Sequence, residues 1–261
     1  LDAHGIDRQV VSPLPVLLPH WAPGPAAAEF CREQNRALAA HVATHPDRLS
    51  ALGTVPIQDP DLAVAALDDV AELGLAGVEI GTMAGGGELD TPAHRAFFEA
   101  AADRGVPVLL HPLEGEGLGR MDNPVVRFGV GVLADTAVAG VHLLLSDVMR
   151  SSPGLHLCLA HGGGALFWAA PRLLGMVERI EGTAEAEARA AALRRVWVDT
   201  ASLGPENLRY LDDVLGRDRL VIGSDYPAAA DVDPLEALAA AGWADDERVM
   251  HGNAAAFLAR P

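Results

Sequence analysis

Three apolar runs, far apart along the chain, end on residues that can bind a metal or move a proton. "VPVLLHP" (106–112) closes on His111, "LHLCLAH" (155–161) on His161, and "RLVIGSDYP" (219–227) on Asp225. Imidazole nitrogen and carboxylate oxygen are good zinc ligands and also serve iron, manganese or cobalt, and a catalytic ion usually takes three protein ligands while keeping a position open. His111 and Asp225 supply two. His161 either supplies a third or stands beside the ion as an acid or base, a role that suits an imidazole with an ordinary pKa of about 6.5. Each residue also has a plainer reading. His111–Pro112 could be a simple turn, Asp225 a helix cap or Asx-turn, and His161 the last residue before the glycines of "HGGG". Their joint placement at three strand ends favours a shared site, with the three functional groups converging on one cation.

Other motifs compete less well. "HGGG" (161–164) suits the oxyanion loop of a serine esterase, but that reading needs a G-x-S-x-G elbow, and Ser224 stands in "IGSDYP" and Ser146 in "LLSD". "GEGLG" (115–119) lacks the last glycine of a dinucleotide loop and carries an acid inside it. His4, His41, His45, His94, His142 and His251 lie in helical or loop contexts with no partner at ligand spacing, and read as surface or core-edge residues. His20 and Trp21 follow the first strand and are candidates for the pocket wall. Glu79, inside a strand, and Asp199, near a strand end, can face the interior in a structural role.

The elements that must position these residues form a repeated pattern. Strands are expected at 8–13, 49–57, 76–82, 106–112, 155–161, 195–201 and 219–227, alternating with helices near 26–45, 60–73, 92–104, 124–150, 166–194, 205–215 and 233–259. "MAGGGELD" (83–90) reads as a loop. The strands are continuous apolar runs, as expected of parallel strands covered on both faces. Repeated strand–helix alternation means a parallel α/β fold, and we expect one domain over 1–261 folded as a (β/α)8 TIM-type barrel. Seven strands are one short of eight. The chain opens on "LDAHGID", which reads as a helix end without an initiating methionine, so the first strand is expected upstream of residue 1.

Composition narrows the partners. A chain of 261 residues with half of them hydrophobic can build a large core. A formal charge of −17, spread along the chain, disfavours nucleic acid and anionic membranes as partners. The two cysteines, Cys31 and Cys158, suggest neither a disulfide framework nor a zinc ribbon. There is no charge-free apolar run long enough to span a bilayer and no signal-peptide pattern, so a cytoplasmic location is expected.

Several segments together resemble one family. "LLHP", "LAHGGGALFWAAPR", "VWVDTAS", "VIGSDYP" and "GNAAAFL", joined by "LGTVPIQDPDLAVAAL" and "LGLAGVEIGT" in the first half, are similar to the amidohydrolase superfamily. Within it they are closest to the branch of aminocarboxymuconate-semialdehyde decarboxylase and related non-oxidative decarboxylases. The resemblance implies a metal-dependent barrel, usually with Zn2+ (Mn2+ or Fe2+ being other divalent choices), commonly a homodimer, acting on a small carboxylate. It implies that His111 and Asp225 are metal ligands at the ends of the fifth and eighth strands and that His161, ending the sixth, is the acid/base beside the metal. Two further ligands, an H-x-H pair on the first strand, are not in this sequence. Arg172 matches an arginine that crosses the dimer interface to pair with a substrate carboxylate, a task its planar guanidinium suits; a surface salt bridge is the plainer reading. His20, Trp21 and Trp168 are the other candidate substrate contacts. Leu113 stands where the branch has tryptophan, Ala228 where it has phenylalanine, and Trp168 replaces a smaller aromatic, so the pocket walls differ. Decarboxylation is the expected reaction. A hydrolase or hydratase of the same superfamily, and an inactive barrel used for binding, are the alternatives.

Overall fold

The structure, a computed structural model, describes residues 1–113, 120–228 and 233–259. The glycine-rich 115–119 stretch lies outside the described residues. The main sheet holds β1 (Gln9–Val11), β2 (Leu49–Thr54), β3 (Gly77–Gly81), β6 (Val108–His111), β7 (Leu157–Leu159), β8 (Trp197–Asp199) and β9 (Leu220–Val221), in that order, with every pairing parallel. All seven expected strands are present. The sheet is curled, with β1 and β9 at its two edges, so the described residues form a seven-stranded part-barrel rather than a closed one. The segment read as a loop at 83–90 contains a short antiparallel hairpin, β4 (Met83–Ala84) with β5 (Gly87–Glu88), turned by Gly85 and Gly86 at φ 59° and 81°.

Register separates the two faces of the sheet. Ile80, Leu110, Leu159, Val198 and Leu220 align across the strands and pack with the helices in the main core. Glu79, Leu109, Cys158 and Trp197 align one residue earlier and face the other way. There Cys158 and Trp197 meet Phe257 in a second, smaller cluster that fills the concave side. Side chains alternate along a strand. His111, two residues beyond Leu109, and Asp199, two beyond Trp197, are therefore carried to the concave side at the C-terminal ends of their strands.

The helices start where the sequence caps them. Asp59, Thr91, Asn123 and Asp233 each accept a backbone N–H in the first turn, and each is followed by proline at the first helical position. Three expected helices are divided. The 124–150 stretch ends at Leu145 and restarts as Val148–Ser151 after left-handed Asp147. The 166–194 stretch forms Leu166–Glu181 and Thr183–Leu193, broken at Gly182 with φ 101°. The 233–259 stretch forms Pro234–Ala241, a π-helical turn at Arg248–Gly252 and Asn253–Leu258, with left-handed Gly242 ending the first. The helical stretch Pro124–Leu145 is long and apolar enough to cross a membrane. Its residues Ala139, Leu143 and Leu144 are instead buried in the main core.

Candidate metal centre

Each of the three strand-end residues is held by its own local device. His111 is the last residue of β6, aligned with Gly81 of β3. Its Nδ1 lies 3.0 Å from the Pro112 carbonyl, so Nδ1 carries the proton and Nε2 presents a lone pair. His161 follows β7 in the left-handed region, φ 54° and ψ 48°. This conformation is uncommon for a residue with a Cβ. The Asp199 carboxylate fastens it, accepting the His161 backbone N–H at 2.8 Å and that of Ala201 at 3.0 Å. Asp225 follows β9, also left-handed at φ 53°.

The glycines after His161 have a structural reason. Gly162, Gly163 and Gly164 all have positive φ. A Cβ on Gly164 would lie 2.0 Å from the Leu133 carbonyl oxygen, and one on Gly163 would lie 2.8 Å from the Phe167 ring. The loop leaves the strand against the helix Val132–Leu145 with no room for side chains.

The ligand atoms of His111, His161 and Asp225 all lie within 4.8 Å of one another. His111 Nε2 is 4.0 Å from one Asp225 oxygen and His161 Nε2 is 3.5 Å from the other. The two imidazoles meet edge-on, with ring centroids 5.1 Å apart. A zinc ion with bonds of about 2 Å would span such a group with small side-chain adjustments.

The electrostatics fit a cation. Burial, with His161 close by, pushes the His111 pKa down to about 4 against the pull of the Pro112 carbonyl and Asp225, so the imidazole is neutral, as a ligand must be. Burial works against a charged His161 too, but Asp225, Asp199 and Glu79 outweigh it and its pKa is raised. Glu79, 1% exposed, is pushed up to about 8 by burial and by Asp199 and Asp225, with Ser12 and His161 opposing. Burial likewise raises Asp199. Glu79 Oε1 and His161 Nδ1 are buried without a hydrogen-bond partner among the described residues. Glu79, Asp199 and Asp225 gather beside the two imidazoles, and a divalent ion would offset their negative charge.

The remaining candidates are not part of the His111–His161–Asp225 group. His20 is half-buried, its Nδ1 3.0 Å from the Leu18 carbonyl, and its own carbonyl accepts the Gly85 N–H of the hairpin. Trp21 is 75% exposed. Trp168 is 78% exposed and tilts against Tyr210, and Arg172 lies exposed one turn further along the same helix. Leu113, by contrast, is buried and folds over Gly81. Among the histidines read as peripheral, His94 is buried between Thr91 and the Ile57 carbonyl, and His142 pairs with Asp90 at 2.8 Å. Sequence reasoning did not single out Asp135. Its signal was available: it is the one acid in the apolar stretch 128–145.

The amidohydrolase family model matches residues 2–260. The chain belongs to the amidohydrolase family. This amidohydrolase is 29% identical over 273 residues to the 2-amino-3-carboxymuconate-6-semialdehyde decarboxylase of Dictyostelium discoideum, covering 99% of this chain and 74% of that one. It is 27% identical over 252 residues to the gamma-resorcylate decarboxylase of Rhizobium radiobacter, covering 87% and 74%. Among solved structures it superimposes on the apo form of IDCase from Metarhizium anisopliae with a TM-score of 0.87 and 25% identity, over 98% of this chain and 76% of that one. The dihydroxybenzoic acid decarboxylase of Polaromonas, solved with bound manganese and 2-nitroresorcinol, shares the fold at a TM-score of 0.83 and 23% identity, over 98% and 83%. A hydratase is also similar: the 2-keto-4-carboxy-3-hexenedioate hydratase of Sphingobium is 24% identical over 247 residues, covering 90% and 70%.

Proposed function

We propose that this amidohydrolase is a metal-dependent non-oxidative decarboxylase of a small carboxylated aromatic or unsaturated acid. The observation that carries the reading is the convergence of His111, His161 and Asp225 within 4.8 Å at the C-terminal ends of three strands. Active sites of parallel barrels are built on that face. Relatives named as decarboxylases point to the same reaction.

His111 and Asp225 would hold the ion, Zn2+, Mn2+ and Fe2+ being the candidates. When bound, a divalent ion supplies Lewis-acid polarisation of the substrate's oxygen atoms. His161, whose charged form the nearby carboxylates favour against its burial, would deliver a proton to the carbon that bears the departing carboxylate. The electrons of the C–CO2 bond return to the conjugated system and CO2 leaves. His161 then regains a proton from solvent. Asp225, at 3.5 Å, orients its imidazole.

An eighth strand lying between β9 and β1 would close the barrel, and ligands on it would complete the donor set. We further propose that the chain works as a homodimer. Trp168, Arg172, Met176 and Ile180 recur every four residues on one exposed helix face, with Trp168 78%, Met176 40% and Ile180 74% exposed. Such a stripe is characteristic of an interface. Arg172 in its middle would meet a substrate carboxylate in the partner's site. The buried free thiols of Cys31 and Cys158 suit a reducing, cytoplasmic setting.

The test is a CO2-release screen of carboxylated aromatic and muconate-like acids with the protein loaded separately with Zn2+, Mn2+ or Fe2+. Metal-dependent CO2 release supports the proposal. A hydrated or hydrolysed product without CO2 would establish the second reading, which the similarity to a hydratase favours.

A further inference from the structure

Asp135 sits on the helix Val132–Leu145 and is 4% exposed. A carboxylate buried this deeply is costly unless its oxygens are well hydrogen-bonded. Its Oδ2 accepts two hydrogen bonds, from Thr82 Oγ1 at 2.8 Å and from the Leu113 backbone N–H at 2.8 Å. Thr82 follows the last residue of β3, and Leu113 lies two residues after the last of β6, so Asp135 ties together the exits of two adjacent strands.

The second bond reaches further than the loop. The Leu113 N–H belongs to the Pro112–Leu113 peptide, and the carbonyl of that same peptide, Pro112 O, lies 3.0 Å from His111 Nδ1. One rigid plane thus has Asp135 on its N–H side and His111 on its C=O side. A carbonyl oxygen only accepts, so this contact fixes the proton on Nδ1 and leaves Nε2 bare toward Asp225. A carboxylate accepting the N–H also polarises the peptide and strengthens its carbonyl as an acceptor. Partners that fix the tautomer of a metal-ligating histidine in this way commonly tune the affinity of the site.

We propose that Asp135 is a positioning residue for the metal centre, setting the orientation and tautomer of His111 through the Pro112–Leu113 peptide. The consequence for metal affinity rests on the metal-site reading above; the tautomer does not.

The experiment uses the whole chain, metal-free, with 15N-labelled histidine, the His111 signals being assigned by their loss in His111→Gln. Wild-type protein should show His111 as the Nδ1–H tautomer. Asp135→Ala should give a mixed tautomer and weaken Zn2+ binding by about 10–100-fold in a chelator competition. Asp135→Asn, which keeps an acceptor but not the charge, should fall between. Thr82→Val removes the other bond to Asp135 and should leave both readouts as in wild type. If Asp135→Ala does not fold, Asp135→Asn decides. Wild-type tautomer and affinity in the folded Asp135 variants would overturn the proposal, as would equal shifts in Thr82→Val, which would reduce Asp135 to a loop tether. Should wild-type protein bind no Zn2+, the metal reading fails while the tautomer still decides the role of Asp135.

Discussion

The Nε2 atom of His161 lies 3.5 Å from Oδ2 of Asp225, and both residues hold a left-handed backbone, φ 54° and φ 53°. Two residues with Cβ atoms in that region, facing each other across one site, mark stored strain. It is maintained because Asp199 grips the His161 N–H and the glycine loop packs behind it. Left-handed backbone costs a non-glycine residue about 1–2 kcal/mol. His161→Ala keeps the strain and loses the imidazole, whereas His161→Gly loses both. Both variants should drop the rate of CO2 release by about 10^2–10^4-fold, the usual contribution of a general acid, with metal content unchanged. In urea denaturation His161→Gly should be the more stable of the two by about 1 kcal/mol. Full activity in either variant would reject the acid role, and equal stabilities would reject the strain.

Gly164 tests the loop itself. At φ 60° and ψ −129° it occupies a region nearly closed to other residues, and a Cβ there would meet the Leu133 carbonyl oxygen at 2.0 Å. The helix Val132–Leu145 cannot give way without moving Asp135. Gly164→Ala should therefore cost about 3 kcal/mol or more, seen as a lowered urea midpoint. Gly175, whose Cβ would meet nothing within 4 Å in the middle of a helix, should accept alanine with no loss of stability.

Much of this arrangement was legible in the sequence. Residues that end buried parallel strands declare themselves because an unpaired polar group in the middle of an apolar run is costly, and the seven strands and the positions of His111, His161 and Asp225 follow from that. Less legible were features set by tertiary contacts. Nothing local reveals that the peptide after Pro112 is read by Asp135, 22 residues on. Glu79 stands out in "GVEIG", but its depth depends on which face of β3 turns inward, and that is fixed by register with Leu109. The hairpin at 83–88 is too short for a periodic signal, and the break at Gly182 is a single residue inside an otherwise continuous helical pattern.

His94 should impose a pH dependence on stability. It is buried, with Nε2 3.1 Å from the Ile57 carbonyl and Nδ1 2.9 Å from the Thr91 hydroxyl. Burial lowers its pKa below the usual 6.5, with the Ile57 carbonyl and Asp90 opposing. The unfolded chain thus takes up a proton near pH 6.5 that the folded chain resists. The contribution of neutral His94 is fully present above pH 6.5 and is lost as pH falls from there through the folded-state pKa. Wild-type stability measured from pH 8 to pH 5 should decline more steeply than that of His94→Gln. Parallel curves would show that His94 titrates alike in both states.

Metal binding should be visible without any substrate. An ion that binds the folded chain and not the unfolded one stabilises it by RT ln(1 + [L]/Kd), about 2.7 kcal/mol at a hundredfold excess over Kd. Adding Zn2+ or Mn2+ to chelator-treated protein should raise the melting temperature, and Asp225→Asn or His111→Ala should remove most of that gain. Affinity for a site of imidazole and carboxylate donors built on His111 and Asp225 should follow Mn2+ < Fe2+ and exceed both for Zn2+. The gain in melting temperature at equal concentrations should rank the same way. Turnover need not, because the ion must also leave room for substrate and tolerate a changing ligand set. A protein stabilised most by Zn2+ but releasing CO2 fastest with Mn2+ would therefore fit the site. A melting temperature unmoved by all three ions would mean that His111, His161 and Asp225 converge without forming a metal centre.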